Sequence, residues 1–334
     1  MNGARVTIIM WFCILSLWSS AQDEFSIIAH RGASAIAPEN TLISFETAID
    51  AGANYVEMDI RQSADDSIMV IHDKTLERTT NGSGDISEMP YNLIRNYSAG
   101  YPEKFGQRFL DEKIPTLFEA LALCKNRVKV CIELKDVPEM PVLEMVRKME
   151  MSSRTVFMSY NPDKLSRLHE EDPGLTLVLI TNLAATTDLY VAASSGFSGI
   201  ATSVFTPACY MKEAEERGLF YWAGVVNDPG KADQLRSDGA DGVLTGDPGL
   251  ILQIRRPELL LSPNPFREEV KISILAENKS YDIVVFDVQG KVILRSETDS
   301  NEFRWKPVNC AGGIYFLYIP LEGTFILEKL IYSR

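Results

Sequence analysis

The stretch FSIIAHRGASAIAPENTLISFETAIDAGANYVEMDI, residues 25–60, predicts a strand, a helix and a second strand in that order. Its two ends, FSIIA (25–29) and NYVEMDI (54–60), are short apolar runs typical of strands. The segment between them has one apolar helical face and ends at Gly52, and that face consists of Leu42, Phe45, Ala48 and Ile49. A helix between two strands is the usual connection between parallel strands, so this stretch predicts one unit of a parallel sheet.

The same order of strand and helix recurs as far as about residue 250. A capping box, TLFE (116–119), opens one of the later helices. The six further strand-like runs are RVKVCIEL (127–134), TVFMS (155–159), LTLVLI (175–180), SGIAT (198–202), LFYWAGVV (219–226) and GVLTG (242–246). Eight repeats predict an α/β fold, a TIM (β/α)8 barrel. A doubly wound open sheet is the alternative, but it usually has fewer strands.

Two regions depart from this pattern. Residues 61–126, which follow the second strand, are too long for one connection and predict an inserted lobe over the barrel mouth. After Leu261 the helical periodicity stops and short alternating strands follow, which predicts a small all-β sandwich. We therefore expect three parts, a signal peptide (1–21), a barrel (22–256), and a linker with a C-terminal β-sandwich (257–334).

The first residues, MNGARVTIIMWFCILSLWSSAQ, have the pattern of a secretory signal cut after Ala21. The alternative is a single membrane anchor, but the apolar run from Val6 to Trp18 is short for a span. We expect an exported protein whose mature chain has no transmembrane segment. Its four cysteines fit no zinc motif and allow three pairings, so the disulfide question stays open and buried free thiols are favoured.

The 334-residue chain carries a net charge of −13, which argues against general binding to nucleic acid or to an anionic membrane. Hydrophobic residues make up 46% of the chain, enough for a large buried core. An anionic small-molecule substrate would therefore need a metal ion or specific Arg and Lys side chains.

Three carboxylates are predicted to point into the barrel near its carboxyl end. Glu57 and Asp59 alternate with apolar residues on the second strand, and Glu133 does so on the third. A hard divalent cation, Mg²⁺ or Ca²⁺, would relieve their repulsion with oxygen ligands. The alternative is an ion-pair network with Arg31, Lys129 and Lys135.

His30 ends the first strand at the same mouth, and His72 follows an alternating run in the inserted segment, where Asp73 would orient it or cap a turn. Two histidines beside a metal site are candidates for proton transfer. With the cations Arg31 and Lys135, this set fits hydrolysis of a phosphate ester. Zinc held by the histidines is a weaker alternative, because no HxxxH spacing is present.

The motifs HRG, PENT, ExD, HD and ExK occur in this order, and with them residues 25–255 closely resemble the glycerophosphodiester phosphodiesterases. The resemblance implies a TIM barrel that hydrolyses glycerophosphodiesters to glycerol 3-phosphate and an alcohol. It implies roles for nine residues: an acid/base pair (His30, His72), metal ligands (Glu57, Asp59, Glu133), phosphate-binding cations (Arg31, Lys135), and site-lining side chains (Asn40, Trp222). Attack by a neighbouring substrate hydroxyl, through a cyclic phosphate, stays open.

Two positions depart from the family pattern. Gly224-Val225-Val226-Asn227 stands where the family has Trp-Thr-Val-Asn, and Thr245-Gly246-Asp247 stands where Asp directly follows Thr. Both changes are expected at the wall around the alcohol or glycerol group. Within the same fold, a phospholipase acting on intact lipids and a catalytically silent surface-binding barrel remain alternatives.

The tail motifs SPNPF, VVFDVQGKVI, AGGIYFLYI and EKLIYSR resemble the C-terminal sorting domain read by the bacterial type IX secretion system. That resemblance implies secretion machinery as a partner and a location at the cell surface or outside the cell, with the periplasm crossed in transit. An ordinary carbohydrate-binding or adhesive β-sandwich is the alternative.

Overall fold

The computed structural model describes residues 25–182, 185–253, 259–274, 280–308, 310–321 and 324–333. The predicted signal peptide lies outside the described residues. Among them, no helix is both long enough and apolar enough to cross a membrane.

Eight parallel strands form a closed barrel. The first, β1 (Ser26–Ala29), pairs with both β2 (Tyr55–Gln62) and β9 (Gly242–Thr245), so the sheet has no open end. The eight are β1 (Ser26–Ala29), β2 (Tyr55–Gln62), β4 (Lys129–Leu134), β5 (Thr155–Ser159), β6 (Thr176–Ile180), β7 (Gly199–Thr202), β8 (Phe220–Gly224) and β9 (Gly242–Thr245). Closure confirms the predicted TIM barrel and excludes the doubly wound open sheet.

Helices follow the strands and cover the outside of the barrel. Gly52 ends the first helix in a left-handed conformation, and Thr116 and Glu119 form the predicted capping box. The covering helices are α1 (Leu42–Ala51), α4 (Leu117–Cys124), α5 (Glu139–Lys148), α6 (Pro162–Glu171), α7 (Thr186–Ser194), α8 (Ala208–Glu216), α9 (Pro229–Ser237) and α10 (Pro248–Gln253).

Alternation along the strands divides the apolar side chains between two cores. Val56, Met58 and Ile60 of β2 face the helices in the large outer core. The barrel interior is a smaller cluster of Ile28, Cys131, Val156, Met158, Val178, Ala201 and Trp222. Polar side chains replace this cluster at the carboxyl ends of the strands, and this is where the candidate site lies.

The inserted lobe follows β2 and has a small core of its own. Its elements are β3 (Ile68–Val70), a 3-10 turn (Ile86–Glu88), α2 (Tyr91–Ile94) and α3 (Pro102–Phe105), and β3 pairs antiparallel with β2. Leu76, Ile86 and Ile94 are buried in that core. Lys104 donates from Nζ to the Ser34 carbonyl at 2.6 Å, which links the lobe to the loop after β1.

The C-terminal region is all-β, as predicted, and contains two antiparallel sheets. Leu317 and Leu330 of one sheet and Ile272 of the other are buried in one shared core. The strands are β10 (Leu259–Ser262), β11 (Val270–Ile274), β12 (Tyr281–Asp287), β13 (Val292–Thr298), β14 (Glu302–Trp305), β15 (Gly313–Leu321) and β16 (Thr324–Tyr332). The sequence predicts five strands in this region, VKISILA (270–276), YDIVVFDV (281–288), KVILRS (291–296), IYFLYIP (314–320) and TFILEKLIY (324–332), so β10 and β14 were not expected.

The four cysteines after the predicted signal peptide are free thiols. Cys124 and Cys131 are buried, as expected, whereas Cys209 is exposed and Cys310 is partly exposed. Burial raises the pKa of the Cys124 thiol to about 12, so this thiol stays protonated at neutral pH.

Candidate functional site

The turn from β1 into α1 positions the first two site residues, His30 and Arg31. Arg31 and Gly32 have left-handed backbones, with φ values of 56° and 79°. A Cβ atom at Gly32 would lie 2.7 Å from the backbone carbonyl carbon of Ser44, so only glycine fits this close approach. The turn aims the Arg31 backbone N–H at Glu57 Oε2, 2.7 Å away.

The three predicted carboxylates meet at the carboxyl ends of β2 and β4. Glu57 and Asp59 share one face of β2, and Asp59 stands opposite Glu133 in the parallel register. Carboxylate oxygens of all three lie within 4.8 Å of one another. Glu57 and Asp59 are buried and Glu133 is largely buried, so three acidic groups share a site with little water.

Burial and mutual repulsion divide these carboxylates into two kinds. Burial and the charges of Asp59 and Glu133 raise the pKa of Glu57 well above its ordinary value. Burial and Asp59 likewise raise the pKa of Glu133 to about 7. Burial opposes ionisation of Asp59 as well, but Arg31 and Lys135 hold its pKa well below the ordinary range.

Two cations and one amide surround Asp59. Arg31 Nε lies 3.1 Å from Asp59 Oδ2, and Lys135 Nζ lies 3.2 Å from Oδ1 and also donates to Glu133. Asn40 donates from Nδ2 to Asp59 Oδ2 at 2.8 Å and accepts from the Asp59 backbone N–H at 3.2 Å. The ion-pair alternative is wrong for Lys129, which is exposed at the start of β4 beside Tyr55.

The two predicted histidines approach this cluster from different elements. Burial and the neighbouring Arg31 lower the pKa of His30 to about 4, so its imidazole is neutral at pH 7. His72 follows β3, and its Nδ1 lies 2.6 Å from Asp73 Oδ1. Burial lowers the pKa of His72, although Asp59 opposes this shift. The contact with Asp73 leaves Nε2 as the ring nitrogen available to a substrate.

Two charged residues of the site, Glu39 and Arg78, received no role in the sequence analysis. Glu39 accepts from Arg31 Nη1 at 2.8 Å, and Arg78 donates to both Glu39 and Asp73. Glu39 stands inside the PENT motif, which is a signal that could have indicated it. Arg78 lies in the inserted lobe, where no strand or helix periodicity predicts the direction of a side chain.

A pocket of about 160 Å³ opens beside the carboxylates. His30, which follows β1, and Glu57 and Glu133, on β2 and β4, form one part of its wall. The part that follows β5, β6 and β7 carries uncharged polar side chains, among them Tyr160, Asn182 and Ser203. Ser203 Oγ is buried and has no hydrogen-bond partner within the described ranges. The pocket therefore combines an acidic wall with a neutral, hydrogen-bonding one.

Trp222 differs from its expected place. Its ring lies in the barrel interior, 4.8 Å from the Phe220 ring and 5.2 Å from the Tyr55 ring between centroids, and it lines a pocket with Lys129 instead. The alternation of β8 explains this, because Phe220, Trp222 and Gly224 share the inner face and only Gly224 reaches the candidate site. The structure therefore does not place Trp222 with the other predicted site residues at the pocket beside the carboxylates.

One of the two departures from the family pattern borders the pocket. Gly224 and Val225 line it, and Val225 is exposed. Thr245 and Gly246 instead donate hydrogen bonds to Asn227 Oδ1, at 3.0 and 2.8 Å, and neither is among the described residues of the pocket wall. Of the two departures, only the one at Gly224 and Val225 therefore forms part of the pocket wall among the described residues.

The donor set fits a hard divalent cation. All three candidate ligands offer carboxylate oxygens, which Mg²⁺ and Ca²⁺ prefer. Asp59 Oδ1 is buried and has no hydrogen-bond partner among the described residues, although Lys135 lies nearby. A cation would also ionise Glu57 and Glu133, whose pKa values are raised without one.

Comparison with known proteins gives two matches that together cover most of the chain. The profile of the "Glycerophosphoryl diester phosphodiesterase family" matches residues 30–250. The profile described as "Secretion system C-terminal sorting domain" matches residues 261–333. The first match covers the barrel with its inserted lobe, and the second covers the all-β region.

Individual proteins agree with these matches. A glycerophosphodiester phosphodiesterase of Caldanaerobacter subterraneus is 27% identical, over 69% of this chain and 97% of that protein. A solved glycerophosphodiester phosphodiesterase from Agrobacterium tumefaciens is 28% identical with a TM-score of 0.60, over 68% of this chain and 98% of that one. A phosphodiesterase from Oleispira antarctica, solved with the product sn-glycerol-3-phosphate, is 26% identical with a TM-score of 0.64, over 69% and 96% of the two chains.

Proposed function

The chain belongs to the glycerophosphoryl diester phosphodiesterase family, and from this membership we propose that it hydrolyses glycerophosphodiesters to glycerol 3-phosphate and an alcohol at the mouth of its barrel. One observation carries the proposal. Three carboxylates lie within 4.8 Å of one another beside two fixed cations and two histidines. This arrangement suits an anionic phosphodiester that must be bound, attacked and protonated in one place.

Glu57, Asp59 and Glu133 would hold one divalent cation, Ca²⁺ or Mg²⁺. When bound, the cation would polarise the phosphoryl group and offset the negative charge that develops on it. Arg31 and Lys135 would bind the phosphate oxygens of the substrate, because both cations already point at this cluster from opposite sides of Asp59. Asn40 would keep Asp59 in place through its two hydrogen bonds.

His30 and His72 would form the acid/base pair. Hydrolysis needs one group to take a proton from the attacking hydroxyl and another to give a proton to the departing alcohol oxygen. His30 is neutral at pH 7 and can accept a proton. Asp73 holds His72 through Nδ1 and would stabilise that ring when it is protonated, as the orienting carboxylate of a catalytic histidine does.

The neutral wall of the pocket suits the alcohol arms of such a substrate. Asn182 and Ser203 offer uncharged hydrogen-bonding groups, and Val225 adds an apolar edge. Glycerol carries hydroxyl groups that could bond to these side chains, and Ser203 Oγ, which has no partner in the described part of the chain, would gain one.

Export of this enzyme would depend on both ends of the chain. The sorting domain indicates a location at the cell surface or outside the cell. We propose that the first 21 residues act as a signal peptide and that the type IX secretion machinery reads the tail. Deleting residues 259–334 should then retain the enzyme inside a producing bacterium that has this machinery, whereas normal secretion of the truncated chain would refute the tail's role.

A phospholipase acting on intact lipids is a second candidate. Apolar side chains are exposed in several loops at the carboxyl ends of the strands, and Phe205, at 83%, is the most exposed of them. Ile36 and Val225 are further examples, and Leu110 is exposed in the inserted lobe. Turnover of lipid vesicles that exceeds turnover of soluble glycerophosphodiesters, and that falls in Phe205→Ser, would favour this candidate.

The experiment that tests the proposed function measures glycerol 3-phosphate release from glycerophosphoglycerol, glycerophosphoethanolamine and glycerophosphocholine with Mg²⁺ or Ca²⁺ present. We expect release from at least one of them. No release from any of the three by folded enzyme would refute the proposal. An Asp59→Asn variant serves as the inactive control.

A further inference from the structure

A continuous chain of charged contacts joins His72, in the inserted lobe, to Arg31, in the turn after β1. Arg78 donates from Nε to Asp73 Oδ2 at 2.5 Å and from Nη2 to Asp73 Oδ1 at 3.2 Å. The same guanidinium donates to Glu39 from Nη1 at 2.9 Å and from Nη2 at 2.7 Å. One arginine therefore holds two carboxylates in bidentate geometry.

Each of these carboxylates in turn contacts a residue of the site. Asp73 holds the Nδ1 of His72 at 2.6 Å, and Glu39 accepts from Arg31 Nη1 at 2.8 Å. Arg78 itself lies outside the pocket and is only partly exposed. It touches no group expected to bind substrate, but it is one contact away from a histidine and from a phosphate-binding arginine.

We propose that Arg78 is a positioning residue that fixes His72 and Arg31 relative to each other through Asp73 and Glu39. This inference rests on the proposed function, which supplies the roles of His72 and Arg31. The inserted lobe carries His72, and the turn after β1 carries Arg31. Lys104 also joins these two segments, at the Ser34 carbonyl, but the Arg78 link joins them through direct contacts of the two site residues. Catalytic geometry tolerates little displacement, which is why such a link matters.

The Asp73 contact and the Glu39 contact of Arg78 should affect different kinetic constants when each is removed. Asp73→Asn would loosen His72 and should lower kcat with little change in KM. Glu39→Gln would loosen Arg31 and should mainly raise KM. Arg78→Gln removes both contacts, and we expect it to lower kcat and to raise KM. The expected loss in kcat/KM is about 10- to 100-fold, which is typical when a partner that orients a functional histidine is removed.

Coupling between the variants distinguishes positioning from a merely structural role. If Arg78 acts through Asp73, the double variant Arg78→Gln/Asp73→Asn should lose less than the product of the two single losses in kcat. Arg78→Lys should restore activity only in part, because one ammonium cannot replace two bidentate contacts. Millimolar guanidinium should partly rescue Arg78→Ala.

Arg95→Gln is the matched control. Arg95 also lies in the inserted lobe, makes a bidentate contact with Glu119, and has a side-chain exposure of 29% against 36% for Arg78. We expect it to change thermal stability without changing kcat or KM. Three outcomes would each overturn the inference. Arg95→Gln and Arg78→Gln could show equal losses in kcat/KM, or folded Arg78→Gln could show wild-type kcat and KM. The third is a loss of kcat in Arg78→Gln/Asp73→Asn that equals the product of the two single losses.

A measurement without turnover keeps this inference separate from the proposed function. The chain has three histidines, so the His72 Nδ1 proton can be assigned by NMR. We expect a protected, downfield Nδ1 proton in the wild type that is lost in Arg78→Gln and kept in Arg95→Gln. An unchanged signal in Arg78→Gln would refute the link even if the enzyme is active, and a lost signal would support it even if no tested diester is hydrolysed.

Discussion

Buried charge governs the site at the scale of single residues. Glu57 and Glu133 bind protons more tightly than ordinary carboxyls, while Asp59 stays ionised between Arg31 and Lys135. Asp59 carries a permanent negative charge, whereas Glu57 and Glu133 become charged only when they lose their protons. The site therefore binds a cation through all three carboxylates only when these two protons are released. Proton release and cation binding are therefore linked here.

This linkage predicts that cation affinity rises with pH. Because the pKa of Glu133 is raised to about 7, its carboxyl is largely protonated at pH 6 and largely ionised at pH 8. Calorimetric titration with Mg²⁺ or Ca²⁺ should show tighter binding at pH 8 and release of protons into the buffer. In Glu133→Gln the pH dependence should weaken, and an affinity that is independent of pH in the wild type would contradict the assignment.

His72→Ala should lower kcat by about 100-fold or more, the usual contribution of a positioned acid or base. The physical reason is that the departing oxygen or the attacking hydroxyl would lose its proton partner. His169→Ala is the control, because His169 lies on α6, away from the barrel mouth. Normal turnover in folded His72→Ala would remove His72 from the proposed mechanism.

The alternation of side chains along a strand allowed the positions of some site residues to be predicted from the sequence, but not those of residues outside the strands. Glu57, Asp59 and Glu133 could be assigned because period two on a buried strand gives the direction of each side chain. The same rule, applied to β8, would have shown that Trp222 lies one inward position below Gly224. Arg78 could not be assigned in this way, since its contacts depend on the tertiary fold of an irregular loop.

At the scale of elements, the turn between β1 and α1 decides whether the site forms. It contains two non-glycine residues with left-handed backbones, Arg31 and Asn40, and it packs against Ser44 without room for a side chain at Gly32. Ser44 Oγ donates to the Arg31 carbonyl at 2.9 Å, and the Asn40 N–H donates to the same carbonyl at 3.0 Å. The conformation of the turn is thus fixed by two hydrogen bonds to the Arg31 carbonyl, one from Ser44 and one from Asn40.

Gly32→Ala should therefore destabilise the fold and reduce activity together. The new Cβ would overlap Ser44 and sit on a left-handed backbone, at a cost of about 3 kcal/mol or more. Gly106→Ala shares the positive φ, at 60°, but its Cβ would have no neighbour within 4 Å among the described residues, so about 1 kcal/mol of backbone strain is expected there. Thermal unfolding compares the two, and equal losses would contradict the packing argument.

Repetition explains why the barrel elements were easier to predict than those of the tail. Eight repeats of strand and helix form one consistent pattern, whereas β14 is a four-residue strand, Glu302–Trp305, in which only Phe303 and Trp305 are apolar. It forms because its partner β11 supplies the hydrogen bonds. A short strand of this kind carries too little pattern of its own to be recognised.

At the scale of the whole molecule, the outer core of the barrel and the C-terminal core share no residue among those that the structure describes. The barrel core contains Phe45 and Phe157, and the C-terminal core contains Phe266 and Leu317. All nine residues proposed for the site from the sequence lie on the barrel side. Catalysis and export are therefore expected to depend on different parts of the chain.

A chain of residues 22–256 should fold and keep the kcat of the full-length enzyme within about twofold, since removing distant, independent structure changes little. Circular dichroism and the release assay test this expectation. A truncated chain that folds but is inactive would show that the C-terminal region contributes to the site.

The most direct test of the central claim is glycerol 3-phosphate release by the wild type before chelation, after chelation, and after Mg²⁺ or Ca²⁺ is restored. Release should stop with chelator and return with the cation, and Glu57→Gln should not recover under the same conditions. Undiminished release from fully chelated enzyme, or normal release by Glu57→Gln, would contradict it.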